Sequence, residues 1–144
     1  MKTKIILPAA LIFLLLSGCT TPYQKHGSRG GYSEQKFDDR NFVVVFTGNG
    51  FTDKEKVKDF ALLRSAEVVK SAGFDYFVIT DRDDSSVRGK IYGQGLVGHV
   101  VGSSISFPVV TNSITCYKEK PKNKENLYEA DLVISEIRTK YKIN

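Results

Sequence analysis

Phe42-Val43-Val44-Val45-Phe46 and Phe74-Asp75-Tyr76-Phe77-Val78-Ile79-Thr80 bracket one helical segment, and that bracket decides the fold class. Both runs are β-branched and aromatic, the signature of buried strands, and Gly48-Asn49-Gly50 breaks the first. Thr52, with Glu55 three residues on, predicts a capping box in which each side chain satisfies a backbone amide left unpaired at a helix start. From there to Ala72, Val57, Phe60, Ala61, Leu62, Leu63, Val68 and Val69 make a broad apolar face. Gly73 is the expected C-terminal stop, because it adopts the left-handed conformation cheaply. Strand, helix and strand with short joints predict a βαβ unit, right-handed if its strands are parallel.

Downstream, Asp81 to Ser86 reads as a charged turn. Residues 87–104 mix Val87, Ile91 and Tyr92 with Gly89, Gly93, Gly95, Gly98 and Gly102, and are expected to form a glycine-rich loop. Ile105 to Tyr117 returns to strand character, with Pro108 indicating an edge or a bulge near its start. After a charged loop, Leu127, Ala130, Ile134, Ile137 and Tyr141 recur at spacings of three and four, an amphipathic helix. The expectation is a single α+β domain over residues 41–144, in β-α-β-β-α order. Its sheet would be mixed, of three to four strands, with two helices packed on it.

Upstream, residues 20–40 are polar, rich in Gly, Ser and charge, and without periodicity. They read as a flexible tether. Before them, Met1-Lys2-Thr3-Lys4 and the apolar run Ile5 to Leu16 have the form of a signal peptide, too short for the roughly 20 residues that span a bilayer. Leu16-Ser17-Gly18-Cys19 closes the run and resembles the lipobox of bacterial lipoproteins. The resemblance implies removal of residues 1–18, diacylglycerol on the Cys19 thiol and usually an amide-linked acyl chain. Each buried methylene contributes about 0.8 kcal/mol, so two or three chains make a stable anchor where one is marginal. Thr20 stands where the enteric sorting rule would read an Asp as inner-membrane retention, so the expected location is the outer membrane.

Of 21 Lys and Arg residues, Lys2 and Lys4 lie within residues 1–18, which leaves 19 against 16 Asp and Glu in a mature chain of 126 residues. That length suits one domain. The basic residues are interspersed with acidic ones rather than gathered along one element, which argues against nucleic acid as a partner. With Cys19 committed to lipid, Cys116 has no intrachain partner, and its strand-like context makes it a small buried hydrophobe. An intermolecular disulfide or a reactive thiol is the alternative.

Gly93-Gln94-Gly95-Leu96-Val97-Gly98 matches the dinucleotide fingerprint, but a β-branched stretch follows where the fingerprint needs a helix, so no cofactor is inferred. Asp81, Asp83 and Asp84 cluster carboxylates without completing a calcium loop, since Ser86 and Tyr92 stand where Gly and Glu are required. His26 and His99 are the only histidines, too few for a histidine-based metal site. Cys116 with His99 would make a nucleophile and base without an orienting group. Arg64 and Glu67 fall on the apolar side of the first helix, where charges need partners. They are read as a structural i to i+3 pair, extended to a strand carbonyl, or alternatively as the lining of a binding site.

Gly30-Gly31-Tyr32-Ser33, Phe46 with Gly48-Asn49 and Thr52, Leu62-Leu63-Arg64-Ser65-Ala66-Glu67 and Gly73-Phe74-Asp75-Tyr76-Phe77 together resemble an uncharacterised lipoprotein family of Gram-negative bacteria. Tyr128-Glu129-Ala130 is a weaker match. The resemblance implies a lipid-anchored envelope protein with an α/β domain and brings no activity. The expected function is therefore a binding or assembly module of the outer membrane, not an enzyme, attached through Cys19 and able to meet an envelope protein partner. The alternative is an envelope enzyme using Arg64 and Glu67 or the Asp81 to Asp84 turn.

Overall fold

A computed structural model describes residues 20–94 and 100–144. Its elements are β1 (Gly31–Lys36), β2 (Asn41–Thr47), α1 (Lys54–Ser71), β3 (Tyr76–Gln94), β4 (Val100–Tyr117), β5 (Leu127–Glu129) and α2 (Ala130–Tyr141). The class is α+β, as expected, but the described residues form one five-stranded sheet in the order β1-β2-β4-β3-β5. Every pairing in it is antiparallel.

The expected βαβ unit is therefore split. β2 and β3 do run parallel across α1, but β4 folds back from β3 and takes the place between them, so the sheet is not mixed. Both helices cover one face. Phe42, Val44 and Phe46 of β2, Val110, Ile114 and Cys116 of β4 and Phe77 of β3 meet Val57, Phe60, Leu63 and Val69 of α1, while Ala130, Val133 and Ile137 of α2 close one side. The β2 pattern alternates buried with half-buried, so its run of apolar residues is a one-sided strand.

Three boundaries differ from expectation. The segment read as a tether contributes β1, paired from Gly31↔Thr47 to Lys36↔Phe42, and Thr21 is fully buried. Leu127 belongs to β5, and the last helix begins at Ala130. The Asp81–Ser86 turn and most of the glycine-rich loop are strand. β3 and β4 pair continuously from Tyr76↔Tyr117 to Gln94↔Val100, apart from one register shift between Ile79 and Asp81. Residues 95–99, and with them His99, lie outside the described residues, as do residues 1–19.

That shift is a β-bulge that inverts the phase of β3. Before it, Phe77 and Ile79 share the helix-covered face with Cys116 and Ile114. After it, Arg82 and Asp84 take that side and Asp81 and Asp83 the other. A charged stretch can thus stay in the sheet, with Asp84 reaching Lys58 of α1 at 3.3 Å. Pro108 sits one residue beyond the last β2 partner, Val109, where no neighbouring strand asks it for an amide hydrogen.

α1 ends as its sequence predicts. Gly73 at φ +81° donates to the Lys70 carbonyl and Phe74 to that of Val69, the paired bonds of a Schellman stop. Its start does not follow the prediction. The helix begins at Lys54 after Asp53, with no side-chain cap, because Thr52 is engaged elsewhere.

Candidate functional site

Two arrangements tie the N-terminal segment to the domain. The first lies at the loop after β2. The Thr21 amide donates to Thr52 Oγ1 at 2.8 Å, and Thr52 Oγ1 donates to Asn49 Oδ1 at 2.7 Å. Thr21 Oγ1 accepts from the Asn49 amide and donates to the Arg29 carbonyl, both at 2.8 Å. Lys56 Nζ reaches Thr20 Oγ1 at 3.0 Å. Gly30 (φ +87°) passes directly under this knot, where a Cβ would run into the Thr47 carbonyl. Thr52 thus trades a helix-capping role for a buried contact 31 residues away in sequence.

The second arrangement is centred on Glu67. Its Oε2 accepts from Tyr23 Oη at 2.5 Å and from Arg64 Nη1 at 2.9 Å, and its Oε1 accepts from Arg138 Nη2 at 2.9 Å. Arg64 reaches on to Glu34 of β1 through Nη2 and Nε, at 3.0 and 3.3 Å, and lies over the Tyr32 ring. The expected Arg64–Glu67 pair is thus present, but its extension runs to a carboxylate on β1 instead of a strand carbonyl. One carboxylate joins the N-terminal segment, α1 and α2. Tyr23 adds aromatic packing, 5.1 Å from Tyr32 and 5.3 Å from Phe60 between ring centroids.

Burial, then the Glu67 carboxylate, raise the pKa of the Tyr23 phenol far above its ordinary value. For Arg64, burial works against the charge, but the bonds to Glu34 and Glu67 outweigh it and raise its pKa. Neither group is poised to exchange a proton near neutrality. A shallow cleft of about 460 Å³ opens beside Arg64, bordered by Lys36, Phe42 and Val68, while the guanidinium itself stays turned to its two carboxylates. A roomier cleft, about 580 Å³, lies between Arg40, Phe74, Tyr117 and the 118–122 segment.

The other candidates disperse. By register Asp81 and Asp83 fall on the uncovered face of the sheet, whereas Asp84 faces α1. Among the described residues no group of three or more His, Cys, Asp or Glu could hold a metal ion. Cys116 is fully buried in the core, and burial pushes its thiol up to about 11, so it is protonated and inert as a nucleophile at neutral pH. Cys19 lies outside the described residues.

Sequence reasoning missed Thr21, Tyr23, Glu34 and Arg138 as partners. Tyr23 and Thr21 stand in a polar stretch with no periodicity, and nothing local signals what they meet. Comparison with protein-family models, with curated proteins and with solved structures finds no match.

Proposed function

We propose that this chain is an outer-membrane lipoprotein, anchored by lipid on Cys19, whose domain works as a binding or assembly module seated directly on the bilayer. The observation that supports it most is the burial of Thr21. Two residues span at most about 7 Å, so a lipid on Cys19 would hold the Gly48–Thr52 end of the domain within one or two residues of the headgroups. A flexible tether would let a domain sample the periplasm; a docked one fixes which face meets the membrane. Three of the residues that carry the lipoprotein-family resemblance, Gly48, Asn49 and Thr52, receive Thr21 or lie next to a residue that does.

The reading of Arg64 and Glu67 as an enzyme site gains less support, because each already satisfies the other together with Glu34, Tyr23 and Arg138. Intact-mass analysis of protein extracted from membranes tests the anchor. The expected species begins at Cys19 and carries acyl chains; a soluble protein of unmodified mass refutes it. Limited trypsin digestion of the membrane-bound form tests the seating, with resistance expected at Lys25 and Arg29. Crosslinking in intact cells tests the module and should recover a specific envelope protein.

A further inference from the structure

The cleft of about 580 Å³ beside Arg40 gathers four cations, Arg40, Lys118, Lys120 and Lys122. Elsewhere in the domain Lys58, Arg64, Lys70, Arg138 and Lys140 each meet a carboxylate within ion-pair distance. None of the four around the cleft does so among the described residues, and no side-chain hydrogen bond holds the three lysines.

Arg40 is fixed before any ligand arrives. Its amide donates to Asp38 Oδ1 and its carbonyl accepts from the Cys116 amide, both at 2.8 Å. Its Nε donates to the Cys116 carbonyl at 3.1 Å, and the guanidinium lies over the Tyr117 ring, 4.8 Å from the centroid. These contacts use the Nε edge and leave Nη1 and Nη2 without a partner among the described residues. A guanidinium held this way presents a planar pair of donors, the geometry that a carboxylate accepts. Little side-chain freedom is lost when one binds.

The rest of the lining selects among anions. Phe74, Tyr117 and Pro121 give the cleft carbon surface as well as charge, and Glu119 places a carboxylate in its rim. A compact polyphosphate asks for cations that converge on one point with no negative charge beside them. A chain that alternates carboxylates with apolar side chains meets the cations separately and covers the rings. The cations also come from two segments distant in sequence, Arg40 in the turn before β2 and the lysines after β4, so an extended ligand bridges them. The volume lies within the range of about 300–1,000 Å³ usual for ligand sites.

Position favours a peptide over a lipid headgroup. β2 carries the chain about 20 Å from the Arg40 turn to the loop that receives Thr21. On the anchored reading the lipid joins the domain at that loop, so the cleft stands more than two Debye lengths, about 8 Å each, from the point of attachment.

We propose that this cleft binds an acidic, partly apolar peptide segment of another protein, with one carboxylate on the Arg40 fork and others on Lys118 and Lys120. The inference rests on the module reading and names the chemistry of the module's partner.

The test titrates the full chain, in nonionic detergent micelles, into a short fluorescein-labelled peptide in which Glu and Asp alternate with Leu and Tyr, and follows anisotropy. Saturable binding is expected. It should weaken by about tenfold or more when Gln and Asn replace the peptide's acids, and equally in the Arg40→Gln protein. Lys118→Gln combined with Lys120→Gln should weaken it as much, and raising salt from about 50 to about 300 mM should weaken it further. Because Lys118 and Lys120 bond to nothing among the described residues, the paired lysine variant keeps the wild-type Tm and separates lost binding from lost folding. Lys25→Gln, an equal charge change at an exposed position outside the cleft, should bind as wild type does.

Equal affinity for the acidic and amide peptides overturns the proposal, as does full affinity in the paired lysine variant. Displacement of the peptide by polyphosphate or by phosphatidylglycerol vesicles at a lower charge concentration also overturns it, in favour of a phosphate-bearing ligand. In cells, a specific partner that still crosslinks to the paired lysine variant leaves the module standing and removes this cleft. Peptide binding with no specific partner in cells does the reverse, so the two readings fail separately.

Discussion

Replacing Glu67 by Gln tests whether its cluster is a structural hub. The substitution keeps volume and removes one charge. Glu67 is only 13 % exposed and accepts from Tyr23, Arg64 and Arg138. A hydrogen bond to a charged group contributes about 1.5–3 kcal/mol net, which would sum to well above 4 kcal/mol if all three were lost in full. They are not. Arg64 keeps Glu34, Arg138 is 42 % exposed and regains water, and a glutamine oxygen still accepts one bond. The expected loss is about 2–3 kcal/mol, or about 8–12 °C in Tm for a domain of this size. Thermal unfolding followed by circular dichroism in detergent measures it. Tyr23→Phe in the wild-type and Glu67→Gln backgrounds completes a cycle with an expected coupling of about 1 kcal/mol. A loss under about 0.5 kcal/mol with no coupling would refute the hub, since that is the range of surface substitutions away from buried networks.

Thr21→Val keeps shape but removes the bonds of Oγ1 with the Asn49 amide and the Arg29 carbonyl, so a loss of about 2 kcal/mol is expected, with trypsin newly cutting at Lys25 and Arg29. Gly30→Ala should cost about as much through its positive φ and the Thr47 carbonyl, and urea unfolding would detect it. Cys116 gives a pH signature. Its folded thiol is pushed up to about 11 from an ordinary value of 9.0, so the folded state holds the proton longer. Stability from this source is intact below about pH 9 and declines as pH rises toward about 11. Urea titrations at pH 7 and pH 10.5 should show wild type losing more than Cys116→Val across that interval; parallel losses would refute the buried, protonated thiol.

Part of this architecture was legible in local sequence. The aromatic and β-branched run at 42–46, the apolar face from Val57 to Val69 and the Gly73 stop each depend on neighbours a few residues away, and each takes the form its residues predict. Arg64 and Glu67 were legible as a pair because one helical turn brings them together. Their other partners come from 30 to 71 residues away, with no local trace. The strand over residues 86–94 was hidden for a different reason: glycine at 89 and 93 weakens a strand pattern, and only the pairing with β4 shows that the backbone runs on as strand.

The sequence by itself determined the α+β class, the helix–strand bracket and the expectation of a lipid on Cys19, because each rests on short-range periodicity or on a contiguous motif. Only the tertiary structure decided that residues 20–36 are docked, that β4 splits the β2 and β3 pair, and that residues 86–94 pair with residues 100–108. Those are choices among pairing partners. Backbone hydrogen bonds are alike in every strand, so which edge meets which is settled by the burial that follows: Thr21 and Tyr23 fill a space beside Phe46 and Thr52 that no local pattern announces.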